Sequence, residues 1–289
     1  MNSVFMSNDF VKAVDKDYSE AFAILNPANS ATLTQIIANN GVKPANNTII
    51  QRTVKNLSKS TYSGGKAEGS AAGDAEKSTT KTIQNYMEIF SKIATVSGTA
   101  KAMNSNVYGE ELMDRMSEIK EDINSGILKG VLSSTDPRKM CGMTKYSDVN
   151  TVDLAAEVLT EEELDTAIQK LATKGKLYLA VNQADMFAVQ RALIGDKATI
   201  NLATTETVAG INVTKYISAQ GVTVNLYAEN ALDKGTYVLY DMDKVDYYEL
   251  RPIEVIPLAK NGDSDSAEVI CEVSNIALPN SVAVLKHTA

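Results

Sequence analysis

The chain has 289 residues, of which 44% are hydrophobic and 22% charged, and its formal net charge at pH 7 is -8. A chain of this length can bury a sizeable core, as one large domain or two smaller ones. A negatively charged protein repels the phosphates of nucleic acids, so the net charge argues against a nucleic-acid-binding role.

Three absences narrow the function classes further. No apolar run approaches the roughly 20 residues that span a bilayer, and the start lacks a signal peptide's basic and apolar regions, so we expect a cytoplasmic protein with no membrane partner. Cys141 and Cys271 stand alone, outside any paired-cysteine motif, and are expected to be buried thiols. The chain has a single histidine, His287, so a catalytic triad would have to use this residue and a metal site with several histidines is excluded. We therefore expect no enzyme activity, no cofactor and no metal.

Residues 1–45 contain amphipathic elements but no obvious core of their own. Asp9–Leu25 has a helical pattern, with Phe10 and Phe22 broadly on one apolar face. A second short apolar cluster around Ile36 ends at an Asn-Asn-Gly turn signal. We expect this segment to be an arm that lies against another surface.

Residues 46–84 are predicted to form an extended two-stranded ribbon. Thr48–Leu57 is predicted to be one strand and Thr79–Val96 a second, longer one. The stretch Tyr62–Lys77 between them is nearly all Gly, Ala, Ser and charge, which is too little apolar surface to offset the entropy of ordering it. Because a two-stranded ribbon is marginal in water on its own, we expect its partner to be another surface.

Lysines give this ribbon a mildly basic flank, for which we expect a charge complement on a neighbouring copy. The glycines of the ribbon do not match the GxxxxGK[ST] pattern of a phosphate-binding loop, so a nucleotide site is not indicated. The candidate contact residues in the ribbon and the arm are Lys55, Lys59, Tyr62, Gly64, Gly65, Lys66, Glu68, Phe10 and Phe22.

The run Val107–Ser134 is predicted to be one long helix around which the rest is organised. Its opposite side is charged, with Glu111 and Arg115 at a favourable i,i+4 spacing. Gly126 and Gly130 near its end indicate that something packs closely there. Its apolar side is a stripe of residues at three- and four-residue steps, namely Leu112, Met116, Ile119, Ile123, Ile127 and Val131.

Residues 148–246 are predicted to form a second compact unit that mixes helices and strands. Thr160 and Glu163 have the spacing of a capping box at a helix start, and Asn182 is placed to cap a second helix after the strand Lys176–Val181. Four more strands are predicted over Thr199–Ala203, Ile211–Tyr216, Val222–Ala228 and Thr236–Tyr240.

The last two apolar segments, Asp246–Leu258 and Ala267–Leu285, are predicted to be extended and to need a partner sheet or helix. The free candidate for that partner is the long helix. The domain around the long helix is therefore expected to be discontinuous, formed by residues 85–147 and 247–289, with the unit of residues 148–246 inserted between them.

Several short stretches resemble the major capsid proteins of tailed bacteriophages, in the branch related to the phage SU10 capsid protein. The likeness runs from about Asn46 to the C-terminus, and the order and spacing of the stretches together carry it rather than any one of them. They are Asn85–Phe90, Val96–Ala100, Ile127–Gly130, Leu250–Pro252 and Leu258–Ser264.

The resemblance implies an α+β, Hong-Kong-97-like capsid fold. Its parts would be an N-terminal arm (1–45), an extended β-hairpin loop (46–84), a peripheral domain with the spine helix (85–147, completed by 247–289) and an inserted axial domain (148–246). Each copy would lay its glycine-rich loop over the spine of its neighbour.

The same resemblance implies a major capsid protein that self-assembles into pentamers and hexamers of an icosahedral shell. The shell would enclose double-stranded DNA in the virion and would assemble in the host bacterial cytoplasm, with separate scaffold, portal and decoration proteins as further partners. Two alternatives stay open from the sequence: an encapsulin-like protein compartment, and a soluble small-oligomer enzyme.

Overall fold

The computed structural model describes residues 30–56, 67–71, 78–103, 106–194, 202–208, 211–260 and 262–287. The predicted helix of Asp9–Leu25, with Phe10 and Phe22, lies outside the described residues, as does most of the glycine-rich stretch. Within the described ranges, the chain forms a four-stranded sheet, a seven-stranded sheet and a two-stranded ribbon.

The described chain contains five α-helices and thirteen strands. The helices are α1 (Ala31–Asn40), α2 (Gly98–Met103), α3 (Val107–Lys129), α4 (Glu161–Lys170) and α5 (Met186–Ile194). The strands are β1 (Val42–Pro44), β2 (Ile49–Asn56), β3 (Thr79–Tyr86), β4 (Glu88–Ser97), β5 (Asn150–Asp153), β6 (Leu177–Val181), β7 (Leu202–Val208), β8 (Ile211–Ile217), β9 (Thr223–Ala228), β10 (Thr236–Asp241), β11 (Val245–Pro257), β12 (Ser264–Ala277) and β13 (Val282–Lys286).

The long helix α3 packs on a four-stranded sheet with the order β1-β11-β12-β4. Ile119, Ile123 and Ile127 on its apolar side are fully buried, as the periodicity predicted. On its charged side Arg115 pairs with Glu111 at 3.1 Å, which confirms the predicted pair. Each apolar side chain buried here contributes at most about 1.5–3 kcal/mol, so the stripe as a whole is a large source of the free energy that holds the helix on the sheet.

The helix ends at Lys129, five residues before the predicted end at Ser134. Gly130 leaves the helical conformation, and the chain of Met140 crosses so closely that a Cβ on Gly130 would meet its backbone. Val131 therefore lies outside the helix with 66% of its surface exposed, and its assignment to the apolar stripe is wrong. The predicted close packing near this end is confirmed, because a Cβ on Gly126 would meet the Met140 side chain.

The single strand predicted over Thr79–Val96 is two strands in two different sheets. β3 pairs with β2 in the ribbon, whereas β4 pairs with β12 in the four-stranded sheet. The break is at Met87, which is fully buried and whose amide donates to the Thr48 carbonyl at 2.9 Å. The strand divides because burying Met87 requires the chain to turn inward at that point.

The seven-stranded sheet has the order β5-β13-β10-β6-β9-β8-β7 and carries α4 against its own apolar core. The predicted capping box is confirmed: the Glu163 amide donates to Thr160 Oγ1, and the Thr160 amide donates to the Glu163 carboxylate at 2.9 Å. β8, β9 and β10 lie within one residue of their predicted bounds, whereas β7 runs over Leu202–Val208 rather than Thr199–Ala203.

The C-terminal strand β13 lies in the seven-stranded sheet rather than beside the long helix. It pairs with β10 and β5, while β12 pairs with β11 and β4. The two strands are separated at Asn280, whose φ of 53° lies in the left-handed region that Asn tolerates. The prediction that Ala267–Leu285 is one segment packed on α3 is therefore wrong for Val282–Leu285.

Helix α1 packs inside the chain's own body, although residues 1–45 were predicted to be an arm on another surface. Ala31–Ile36 is buried, and the Leu33 amide donates to Asn124 Oδ1 of α3 at 2.9 Å. The physical reason is that the apolar residues of α1 match the spine helix and β11 of the same chain.

A buried carboxylate ties α1 to α3 and to the seven-stranded sheet. Glu229 is fully buried after β9, and it accepts hydrogen bonds from Thr32 Oγ1 at 2.6 Å, from the Thr32 amide at 2.8 Å and from Asn124 Nδ2 at 2.9 Å. Burial raises the pKa of this carboxyl, while the hydrogen bonds from Thr32 and Asn124 act to lower it. The position of Thr32 in the first turn of α1 also favours a negative charge there.

We expect Glu229→Ala to lower the free energy of unfolding of the subunit by about 3 kcal/mol, because several buried donors lose their acceptor. Urea unfolding followed by circular dichroism measures this difference. Glu157→Ala, at an exposed position, is the matched control. A loss within about 0.5 kcal/mol, the range of ordinary surface substitutions, would contradict this account of the junction.

A second prediction concerns Lys120 of α3, whose side chain is buried. Burial lowers its pKa to about 8, below the value of about 10.4 expected in the unfolded chain. Below pH 8 the buried, charged Lys120 therefore lowers the free energy of unfolding by its full amount. This loss disappears as the pH rises towards 10. We expect the stability of the wild type to rise relative to Lys120→Met over that range; parallel pH profiles in urea unfolding would refute the prediction.

Candidate subunit-contact surfaces

The two-stranded ribbon extends from the body of the described structure. β2 and β3 are antiparallel, with Gln51 opposite Gln84 and Thr53 opposite Thr82, and each pair is joined by a side-chain hydrogen bond. No third strand pairs with them in the described ranges. A ribbon of this kind is marginally stable in water by itself.

The root of the ribbon packs on one face of the four-stranded sheet. Ile50 and Met87 form a small apolar cluster with Ile276 of β12. Side chains alternate between the two faces of a strand, and Cys271 and Val273 of β12 belong to the core that contains α3. Ile276 therefore points away from α3, and the ribbon root covers the face opposite the spine helix.

Ion pairs connect the ribbon to the body at two points, one nearer its root and one towards its far end. The Asp246 carboxylate of β11 is almost fully buried, and it pairs with Lys43 Nζ at 2.6 Å and with the Arg52 guanidinium of β2. Lys81 of β3 pairs with Asp148, just before β5, at 2.5 Å. These pairs join β2 to β11 and β3 to the segment before β5, so they hold both strands of the ribbon against the body.

The predicted site residues of the ribbon and of the spine helix form three groups. Lys55 is exposed near the far end of β2, and Glu68 is exposed in a short turn of the ribbon tip. Five residues of the tip lie outside the described residues, namely Lys59, Tyr62, Gly64, Gly65 and Lys66. Five residues of the spine-helix stripe, which were predicted to form its apolar side, face the chain's own core, namely Leu112, Met116, Ile119, Ile123 and Ile127.

The ion pairs at the ribbon root are functional candidates that the sequence analysis missed. Asp246 stands between Val245 and Tyr247 in an apolar strand, and a buried charge implies a partner. That signal was available in the sequence. The identity of the partners was not, because Lys43 and Arg52 are about 200 positions away in the chain.

The described residues carry little that could support chemistry. No group of three or more His, Cys, Asp or Glu among them is placed to hold a metal ion. Burial raises the pKa of the Cys141 thiol to about 11 and that of Cys271 to about 12, so neither is a thiolate near neutral pH. None of the helices in these ranges is both long and apolar enough to cross a bilayer.

We expect Asp246→Asn to loosen the ribbon, because the neutral side chain no longer holds two cations. Amide hydrogen exchange in β2 and β3 should become about tenfold faster, which corresponds to about 1.4 kcal/mol. Asp148→Asn is the matched control, since its pair with Lys81 is more exposed and should matter less. Unchanged exchange in β2 and β3 of Asp246→Asn would show that the pairs do not hold the root.

Solved structures similar to this fold are shells of several kinds. The capsid of a native GTA particle matches with a TM-score of 0.61 at 11% identity, over 92% of each chain. The capsid of Cyanophage A-1(L) matches with a TM-score of 0.59 at 13% identity, over 87% of this chain and 91% of that one. The SrpI encapsulin of Synechococcus elongatus PCC 7942 matches with a TM-score of 0.58 at 14% identity, over 84% and 83%. At these identities the likeness shows the fold, which is α+β and Hong-Kong-97-like.

The sequence comparison is more specific than the structural one. No curated protein matches the chain. A family model described as the SU10 major capsid protein matches residues 3–285, nearly the whole length. The chain therefore belongs to the SU10 major capsid protein family and is a structural component of a tailed-phage capsid, not an enzyme.

Proposed function

We propose that copies of this chain form the pentamers and hexamers of an icosahedral shell that encloses packaged double-stranded DNA. The observation that carries this proposal is the β2–β3 ribbon, which is tied to the body at its root and has no third strand in the described residues. A sister copy in a closed lattice supplies the surface that such a ribbon lacks.

The two sheets correspond to the two domains that a shell subunit of this kind needs. The four-stranded sheet with α3 is the peripheral domain, and the seven-stranded sheet is the axial domain, packed around the five- and six-fold centres. The ribbon of each copy crosses onto the peripheral domain of its neighbour. Each contact is weak, but closure of the lattice makes many of them act together.

The charge of the chain suits a container for DNA. A net charge of -8 keeps the subunit from binding phosphates strongly. Packaged DNA can then be packed and released without tight attachment to the wall. Separate scaffold, portal and decoration proteins remain proposed partners.

An encapsulin-like compartment is the second candidate, and the likeness to the SrpI encapsulin supports it. The match to a phage capsid family over nearly the whole chain favours the viral shell. The contents of purified particles distinguish the two: nuclease-protected double-stranded DNA after infection supports the phage capsid, and a single protein cargo supports the compartment.

We expect deletion of Gly64–Gly73 to leave folded, soluble subunits that cannot close shells, because the ribbon loses the tip that reaches its neighbour. Sedimentation velocity and negative-stain microscopy measure particle formation, and far-UV circular dichroism checks the fold. Particles of wild-type size and yield from the deletion variant would refute the role of the ribbon.

A further inference from the structure

Two carboxylates lie on the same side of helix α4. Glu161 and Asp165 are four residues apart, which brings their side chains close together on the helix surface. Like charges at this spacing destabilise a helix. Burial raises the pKa of Asp165, and the charge of Glu161 raises it further. Asp165 therefore faces another acid, and no base in the described ranges offsets its charge.

A buried tyrosine hydroxyl is aimed at this pair of carboxylates. Tyr216 of β8 is 1% exposed and belongs to the same apolar core as Leu164 of α4. Gln220, in the turn after β8, donates to the Asp165 carbonyl at 3.1 Å, which holds this turn against α4. Burial raises the pKa of Tyr216, and the neighbouring Glu161 and Asp165 carboxylates raise it further. The three side chains therefore bring their oxygen atoms to one place.

Two of these oxygen atoms are buried and complete no hydrogen bond with the described part of the chain. They are the Tyr216 hydroxyl and Asp165 Oδ1. A buried polar atom without a partner lowers stability, and native structures pair nearly all such atoms. A positively charged ligand that binds oxygen would satisfy both atoms, and it would also offset the repulsion between the two carboxylates.

The donor atoms indicate the chemical class of this ligand. Oxygen atoms from carboxylates and hydroxyls suit hard divalent cations, whereas softer metals prefer sulfur and imidazole, which this set lacks. Ca²⁺ fits better than Mg²⁺, because it accepts irregular geometry and Mg²⁺ demands a near-ideal octahedron. Glu161 and Asp165 are only half-buried, so water can reach the ion and complete its coordination.

We propose that Glu161, Asp165 and Tyr216 form a calcium site that fastens the start of α4 to β8. All three residues belong to one chain, so the inference does not depend on the proposed shell. With only two carboxylates, the site should bind Ca²⁺ with a Kd of about 10⁻⁴–10⁻³ M. The alternative occupant is a lysine or arginine of a second copy, which would bring a positive charge to the same carboxylates.

Terbium luminescence tests the site on the purified full-length subunit. Tb³⁺ takes the place of Ca²⁺ at oxygen sites, and a tyrosine beside it transfers excitation energy to it. Excitation of tyrosine should therefore give Tb³⁺ emission that added Ca²⁺ removes. Asp165→Asn should weaken Tb³⁺ binding by about tenfold or more. Tyr216→Phe should abolish the sensitised emission, and Glu162→Gln, at an exposed position of the same helix, should change neither.

Thermal unfolding separates loss of the ion from loss of the fold. Ca²⁺ at about ten times its Kd should raise the Tm of the wild type by about 3 °C. The Tm of Asp165→Asn should not respond to Ca²⁺. Without Ca²⁺, this variant should unfold at the same temperature as the wild type or higher, because it no longer repels Glu161.

The remaining outcomes each contradict the site. A wild-type subunit that binds neither Tb³⁺ nor Ca²⁺ would overturn it. Emission that persists in both Asp165→Asn and Tyr216→Phe would place the ion elsewhere in the chain. A subunit that is insensitive to Ca²⁺, together with assembly that fails in Asp165→Asn, would replace the ion by a basic residue of a second copy.

Discussion

A two-stranded ribbon cannot bury enough apolar surface to be stable alone, and this limit governs how the subunit works. Half of the residues in the two ribbon strands are Thr, Gln or Lys, and the buried apolar residues are Ile50 and Ile83, nearer the root. The root is stable because it packs on Ile276 and is fixed by the charges on Asp246. Towards the far end the Lys81–Asp148 pair is the support found among the described residues, and we infer that sister copies complete the order of the ribbon.

The body of the subunit is a rigid base for the ribbon. The spine helix α3 lies on the four-stranded sheet, and Glu229 joins this helix through Asn124 to α1 and to the seven-stranded sheet. A carboxylate at such a junction specifies geometry, because its hydrogen bonds form in only one arrangement of the three elements. The ribbon therefore leaves each copy in the same direction, which a closed lattice requires.

Much of the fold follows from local sequence signals, and apart from the misplaced β7 the errors concern contacts distant in the chain. The apolar stripe of α3 and the Thr160–Glu163 capping box depend on neighbours within a few residues, and both were predicted correctly. The end of α3 depends on the crossing of Met140, and the partners of Asp246 come from other strands, so neither can be derived from periodicity. Lys55 could be proposed as a contact residue from the composition of the ribbon. The contacts that hold the root of the ribbon could not, because their partners lie far away in the sequence.

Hydrogen exchange in assembled particles and in unassembled subunits tests most directly whether sister copies order the ribbon. We predict that the amides of the far halves of β2 and β3 exchange rapidly in the free subunit and become strongly protected in the particle, while those of α3 change little. Equal protection of the ribbon in both states would mean that the ribbon is ordered by its own chain, and would contradict the account.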